Sequence, residues 1–330
     1  MDRDALLRDW LLRELPGRTF TLAPASADAS FRRYFRVTLG DKTLIAMDAP
    51  PPQENCRPYV AVAHLLANAG VHAPAVLAQD LQAGFLLLSD LGTRTYLEAL
   101  SEASAPALYR DAGDTLIRWQ LASSEDELPR YDETMLRREL DLFPDWYVAR
   151  HLGIALSGAQ RATLAAAFAR ILANNLAQPC VYVHRDYHSR NLMQSDPNPG
   201  VLDFQDAVYG PVTYDLVSLL RDAYVAWSEE QQLDWAIRYW EAARAARLPV
   251  GADFGGFWRD FEWMGVQRQL KVLGIFARLY HRDGKDAYLA DMPRVMAYLR
   301  GACARYNDLR GLMRLLDELE ARPASVGYTF

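Results

Sequence analysis

The stretch Val183-His184-Arg185-Asp186-Tyr187-His188-Ser189-Arg190-Asn191-Leu192, followed after a turn by Val201-Leu202-Asp203-Phe204, decides how the rest of the chain is read. An apolar strand from Cys180 to Val183 leads in, and a short strand at Leu192-Met193 leads out. A turn over Asp196 to Gly200 returns the chain to a second apolar strand that ends at Asp203. The pattern is histidine, any residue, aspartate, four residues, asparagine, and an aspartate twelve positions beyond the asparagine. Any one of these polar residues alone reads as a turn residue that satisfies loop backbone. The joint spacing, flanked by strands, points to chemistry. His184 reads as a buried histidine that braces the loop.

Phosphoryl transfer needs this set of groups. An aspartate must accept or orient the proton of the acceptor hydroxyl, here Asp186; an asparagine and a second aspartate must hold magnesium against the phosphates, here Asn191 and Asp203. Magnesium favours hard oxygen ligands, which this amide and carboxylate supply. Other chemistries fail on residue type. His184 and His188 are spaced as in HExxH, but no glutamate lies between them. There is no GxSxG elbow, no Walker GxxxxGK[ST] and no GxGxxG. ATP is therefore expected to be held differently from the way P-loop enzymes hold it.

Upstream, residues 4–15 read as an amphipathic helix with Leu6, Leu7, Trp10, Leu11 and Leu15 on one side, stopped by Pro16-Gly17. Strand character follows at 19–22, 33–39 and 43–47, the last two joined by a Gly40-Asp41 turn. A helix over 53–69 and strands near 75–79 and 84–89 complete a small antiparallel-sheet lobe over residues 1–91. Ser89-Asp90-Leu91-Gly92 reads as a connector. Beyond it, over 92–330, long helices at roughly 104–121, 133–150 and 158–177 are interrupted by a β-rich island at 180–204, and helices then run almost to the end. A cleft between two such lobes is the natural place for a ligand.

Composition agrees with a folded cytoplasmic protein. The 330 residues are 51% hydrophobic and 24% charged, with a formal charge of −6 and a sequence pI near 5.6, so no basic footprint for nucleic acid exists. Cys56, Cys180 and Cys303 are far apart and read as reduced thiols. The N-terminus develops no signal-peptide core, and no apolar run reaches membrane-spanning length. Lysine occurs only at Lys42, Lys271 and Lys285.

The segment from His184 to Asp203 resembles the aminoglycoside phosphotransferase and choline kinase-like family. Asp203-Phe204-Gln205-Asp206, Gly210-Pro211 and Asp215-Leu216 are similar to that family's D-[WF]-x-D-A-x-x-G-P-x-x-D-L stretch. Three further segments extend the likeness over nearly the whole chain, and it is closest to the anomeric N-acetylmuramate/N-acetylglucosamine kinases of cell-wall recycling. They are Ser30-Phe31-Arg32-Arg33-Tyr34-Phe35-Arg36, Met47-Asp48-Ala49-Pro50-Pro51, and Gln267-Arg268-Gln269-Leu270-Lys271-Val272-Leu273-Gly274-Ile275-Phe276. The resemblance implies an α+β, bilobal, protein-kinase-like fold with a small antiparallel β N-lobe and a larger helical C-lobe, and ATP and Mg2+ as cofactors. It implies Asp186 as base, Asn191 and Asp203 as magnesium ligands, and Asp215, with His184, as structural support. It makes Ser89 and Leu91 adenine-binding hinge residues, sets Ala46 among the nucleotide-binding residues, and lays Ser30, Phe31, Arg32 and Arg33 over the phosphates. The alternative for this segment is a plain hairpin turn with solvated arginines, a fair competitor at Arg36 and less so at Arg32 and Arg33. One departure stands out: kinase-like folds carry a phosphate-binding lysine in a V-A-I-K strand, and the match here is Leu44-Ile45-Ala46-Met47. No glutamate partner for such a lysine is evident in 57–66.

For the acceptor, a polycationic aminoglycoside calls for an acidic pocket, yet from Arg221 onward basic and acidic residues balance at 16 to 15. Arg268, Lys271 and Arg278 fall roughly on one helix face. They suit a carboxylate such as a lactyl group, or form a solvated face; His188 and Arg190 are further substrate candidates. Trp146 and Tyr147 suit either a sugar ring or the core. Three readings remain: an active sugar 1-kinase, a related kinase acting on an aminoglycoside, amine or homoserine, and a nucleotide-binding pseudokinase suggested by Met47. No nucleic-acid or membrane partner is expected.

Overall fold

The computed structural model describes residues 2–27 and 31–320. Through the N-terminal part the chain forms α1 (Arg3–Glu14), β1 (Thr21–Ala27), β2 (Arg33–Leu39), β3 (Lys42–Asp48), α2 (Arg57–Asn68), β4 (Val76–Asp80), β5 (Phe85–Ser89), α3 (Tyr96–Ala99) and α4 (Ala105–Leu121). There follow α5 (Glu133–Leu140), a π-helical segment (Phe143–His151), α6 (Gly158–Leu176), β6 (Cys180–Val183), β7 (Leu192–Met193), β8 (Gly200–Val201) and β9 (Val208–Pro211). The remainder is α7 (Tyr214–Leu220), α8 (Glu229–Ala245), α9 (Phe254–Asp283), α10 (Met292–Arg305) and α11 (Arg310–Glu320), with short 3-10 turns. Two compact units result: residues 1–122 with 190–207, and 123–189 with 208–330. Residues 92–122 and 190–207 fall with the first unit, where Thr95 bridges Met193 and the Val201 amide donates to the His72 carbonyl.

In the first unit an antiparallel sheet runs in the order β1-β2-β3-β5-β4. The β2–β3 hairpin pairs Leu39 with Lys42 across Gly40-Asp41, and Gly40 takes φ +64 as a two-residue turn requires. Val37, Ala46, Phe85 and Leu87 face Leu7, Trp10 and Leu11 of α1 in one apolar cluster. Side chains alternate along a strand, so Ile45 and Met47 project from the opposite face to Ala46. Tyr59 of α2 packs on Phe204 with ring centroids 4.6 Å apart.

In the second unit α9 is the axis. From Phe261 to Gly274 every residue is buried, so this is a helix surrounded by protein and not an amphipathic surface helix. Asp253 caps its start by accepting from the amides of Gly255 and Gly256, and Gly284 ends it at φ +68. The single helix expected over 133–150 is two pieces. Pro144 removes a backbone donor, and the chain continues as the π-helical segment. At that break α9 comes close: a Cβ on Gly274 would lie 2.5 Å from the carbonyl of Leu142. Strand β9, which pairs with β6 from Cys180↔Pro211 to Val183↔Val208, carries Gly210 and Pro211 and so lacks a strand signature. Among the described residues no helix is long and apolar enough to cross a membrane.

Candidate active site

In the second unit, β6 ends at Val183 and delivers the loop that carries Asp186. The amides of His184 and Arg185 both donate to the Asp215 carboxylate in the first turn of α7, at 2.6 and 2.9 Å. Burial lifts the Asp215 carboxyl to about 6 against the opposing pull of His184 and these two amides. His184 is 1% exposed, and its Nδ1 accepts from the Asp186 amide at 3.2 Å. Arg185 takes φ +78, the left-handed region, without being glycine. Asp215 and His184 thus hold the loop backbone from two sides.

The Asp186 side chain keeps 39% of its surface open, with Arg268 Nη1 3.8 Å from its Oδ1. Desolvation by the packed surroundings disfavours its charge, yet Lys271 and Arg268, aided by His188 and Arg185, outweigh it. They hold the carboxyl well below the usual carboxylate range. Arg268 and Lys271 are each 5% exposed, so the solvated face allowed for them does not exist. Lys271 Nζ contacts Glu139 at 3.1 Å and donates to the Tyr214 hydroxyl at 2.9 Å. Arg268 donates to the Arg185 carbonyl at 3.2 Å. His188 lies edge-on to Tyr224 at 5.5 Å, and burial keeps its imidazole below the ordinary histidine range. Tyr147 belongs to the core and stacks between Phe143 and His151.

In the first unit a cavity of about 410 Å³ is lined by Ile45, Tyr59, Ser89, Leu91, Asn191 and Asp203 among others. Ala46 is not part of it; strand alternation turns Ala46 into the α1 cluster and brings Ile45 to the cavity instead. Arg190, taken as a substrate residue, lines this same cavity. Arg36 is not solvated: its Nε and Nη2 donate to Asp90 at 2.6 and 3.1 Å, and Nη2 also to the Gly92 carbonyl at 2.9 Å, fixing the Ser89–Gly92 connector.

The paired arginines separate. Arg33 donates to Asp48 through Nε at 3.0 Å and pairs with Asp4 at 2.7 Å, on the α1 side. Arg32 donates through Nε to Glu54 at 3.0 Å, with both side chains largely buried. Burial opposes the Arg32 charge, but Tyr34, Glu54, Asp206 and Asp203 raise its pKa above the ordinary value. Phe31 is 68% exposed and donates its amide to Glu54. Ser30 lies outside the described residues. Met47 is fully buried.

Asn191 and Asp203 are adjacent, with Asn191 Nδ2 3.4 Å from Asp203 Oδ2, while Gln205 Nε2 donates to Asp203 Oδ1 at 2.8 Å. Asp203 also takes a left-handed φ of +60. One carboxylate and one amide oxygen fit a cation that keeps water and phosphate for its other positions, as magnesium does. Among the described residues no cluster of three or more His, Cys, Asp or Glu forms a metal cage. Sequence reasoning missed Glu54, just before α2 and outside the 57–66 window, and Glu139. The signal for Glu139 was its place beside Leu136 and Leu140 on the buried face of α5.

The fold and these groups define a kinase-like phosphotransferase, and residues 21–254 match the family model "Phosphotransferase enzyme family". This chain belongs to that family. The N-acetylmuramate/N-acetylglucosamine kinase of Pseudomonas putida is 53% identical to it, over 96% of this chain and 93% of the relative. The enzyme of that name from Neisseria meningitidis serogroup B is 50% identical over the full length of both. Among solved structures, choline kinase LicA from Streptococcus pneumoniae superposes with a TM-score of 0.65 at 13% identity, covering 92% of this chain and 99% of that one. This last likeness concerns the fold.

Proposed function

We propose that this chain transfers the γ-phosphoryl group of ATP to the anomeric hydroxyl of N-acetylmuramate and N-acetylglucosamine, in the cytoplasm, as a step of cell-wall recycling. The observation that carries the phosphoryl-transfer reading is Asp186, held ionised by Arg268 and Lys271 and half-open to solvent. A carboxylate so acidic takes a proton poorly in the ground state. Its work is to accept the hydroxyl's hydrogen bond and set the oxygen in line with the phosphorus, which a loose transition state needs most. The choice of acceptor rests on the relatives' name. Cationic neighbours around Asp186 also speak against a polycationic aminoglycoside.

Ser89 and Leu91 would meet the adenine and Ile45 its face, with Arg190 on the nucleotide side. Arg32 would take the phosphate role that Met47 vacates, which weakens the pseudokinase alternative. Asn191 and Asp203 would hold magnesium, which when bound neutralises phosphate charge. Asp203→Ala should then lose magnesium-dependent ATP affinity in calorimetry; unchanged Mg-ATP affinity would put the metal elsewhere. The reading is tested by ATP consumption across both amino sugars, kanamycin, choline and homoserine. Turnover confined to the amino sugars is expected, and turnover with an amine or an antibiotic alone would overturn the acceptor assignment.

A further inference from the structure

Arg185 is an anomaly on its own terms. A non-glycine residue at φ +78 sits in a region that costs about 1–3 kcal/mol and persists only where the surroundings over-determine it. Glycine would fit there without strain. Three helices hold this arginine in place. From α7, Asp215 accepts its amide at 2.9 Å and Ser218 Oγ reaches its carbonyl at 3.4 Å. From α9, Arg268 donates to the same carbonyl at 3.2 Å. From α5, Glu139 accepts from the guanidinium Nη2 at 2.6 Å. The guanidinium also lies over the Tyr131 ring, 5.5 Å from its centroid. Glu139 is itself buried, paired with Lys271 of α9 and hydrogen-bonded by the Tyr131 hydroxyl.

We infer that Arg185 is a positioning residue, whose guanidinium, keyed to the buried Glu139–Lys271 pair, holds the left-handed backbone that presents Asp186 to the acceptor. This rests on the kinase reading above. A glycine at 185 would keep the backbone contacts to Asp215, Ser218 and Arg268 but lose the side-chain anchor. The guanidinium ties the loop to α5 through Glu139, and that tie gives a reason for a side chain at a φ where glycine is free of strain. The network is also redundant in charge. With Arg185 gone, Glu139 keeps Lys271, so no buried carboxylate is left unpaired and the fold is not put at risk.

The test is Arg185→Gly, which relieves the backbone and removes the guanidinium together, beside Arg185→Lys and Glu139→Gln. The expected result for Arg185→Gly is a kcat lowered about 10- to 100-fold, with KM for ATP and sugar within threefold, Mg-ATP affinity unchanged and Tm within a few degrees. Arg185→Lys should recover part of kcat. Glu139→Gln should lose a similar factor, and the Arg185→Gly/Glu139→Gln double variant should lose no more than either alone. Wild-type kcat in Arg185→Gly would overturn the inference, as would additive losses in the double variant. So would a rise in KM with kcat intact. Should Arg185→Gly fail to fold, wild-type kcat in both Arg185→Lys and Glu139→Gln overturns it equally. A wild-type enzyme inactive on amino sugars but active on another acceptor would overturn the acceptor assignment above, and the same kcat comparison, read on that acceptor, would still decide this inference.

Discussion

At the level of single residues, the proposed chemistry rests on Asp186 and Arg32. Asp186→Asn keeps the volume and the hydrogen bonds of the loop while removing the carboxylate. It should lower kcat by about two to four decades and leave Mg-ATP affinity unchanged in calorimetry; near-wild-type turnover would remove Asp186 from the mechanism. Met47 is fully buried on the Ile45 side of β3, so no cation comes from the strand position where kinase-like folds carry one. Arg32 sits in the field of Asp203 and Asp206, whereas Arg33 is spent on Asp48 and Asp4. Arg32→Ala should therefore raise the KM for ATP by about tenfold, the equivalent of ~1.4 kcal/mol. Arg33→Ala and Lys42→Ala should leave it within twofold. If Lys42→Ala is the crippling change, the hairpin lysine reaches the phosphates and the assignment to Arg32 is wrong.

At the scale of elements, two helical glycines make a matched pair. Gly274 lets α9 lie against the Leu142 carbonyl, with no room for a Cβ, whereas a Cβ on Gly113 in α4 meets nothing within 4 Å. Gly274→Ala should cost about 2 kcal/mol or more, since overpacking against backbone has no rotamer to relieve it. Gly113→Ala should stabilise by about 0.5 kcal/mol. Urea titrations of both would measure this, and an equal response would mean the α9 contact is loose. The same elements show how far the sequence could be read. Periodicity located α1, β2 to β5, α4 and α6 to within a few residues, because each buries one regular face, whereas the strand expected at 19–22 runs as β1 from Thr21 to Ala27. It failed at Leu142 and at β9. There Pro144, Gly210 and Pro211 answer to neighbours distant in sequence, and local pattern carries no trace of them. The site divides in the same way. The spacing of His184, Asp186, Asn191 and Asp203 was legible because those residues lie on one short stretch. Ala46, set among the nucleotide-binding residues, packs toward α1 while Ile45 lines the cavity, since neighbours on a strand point to opposite faces. Glu54 and Glu139 were illegible because each is defined by a partner across the fold.

For the molecule as a whole, the proposed reaction takes ATP and an N-acetylamino sugar to a sugar 1-phosphate. The anomeric hydroxyl suits Asp186 because the ring oxygen makes it more acidic than the other sugar hydroxyls. On this proposal an oriented, ionised carboxylate would serve without a stronger base. The direct measurement is to incubate the enzyme with ATP and N-acetylglucosamine, and separately with its methyl glycoside, and to follow phosphate released from the product by mild acid. Glycosyl phosphates are acid-labile and 6-phosphates are not. The account predicts a product that mild acid hydrolyses completely, and no reaction with the methyl glycoside, whose anomeric oxygen is blocked. An acid-stable product, or phosphorylation of the methyl glycoside, would contradict it.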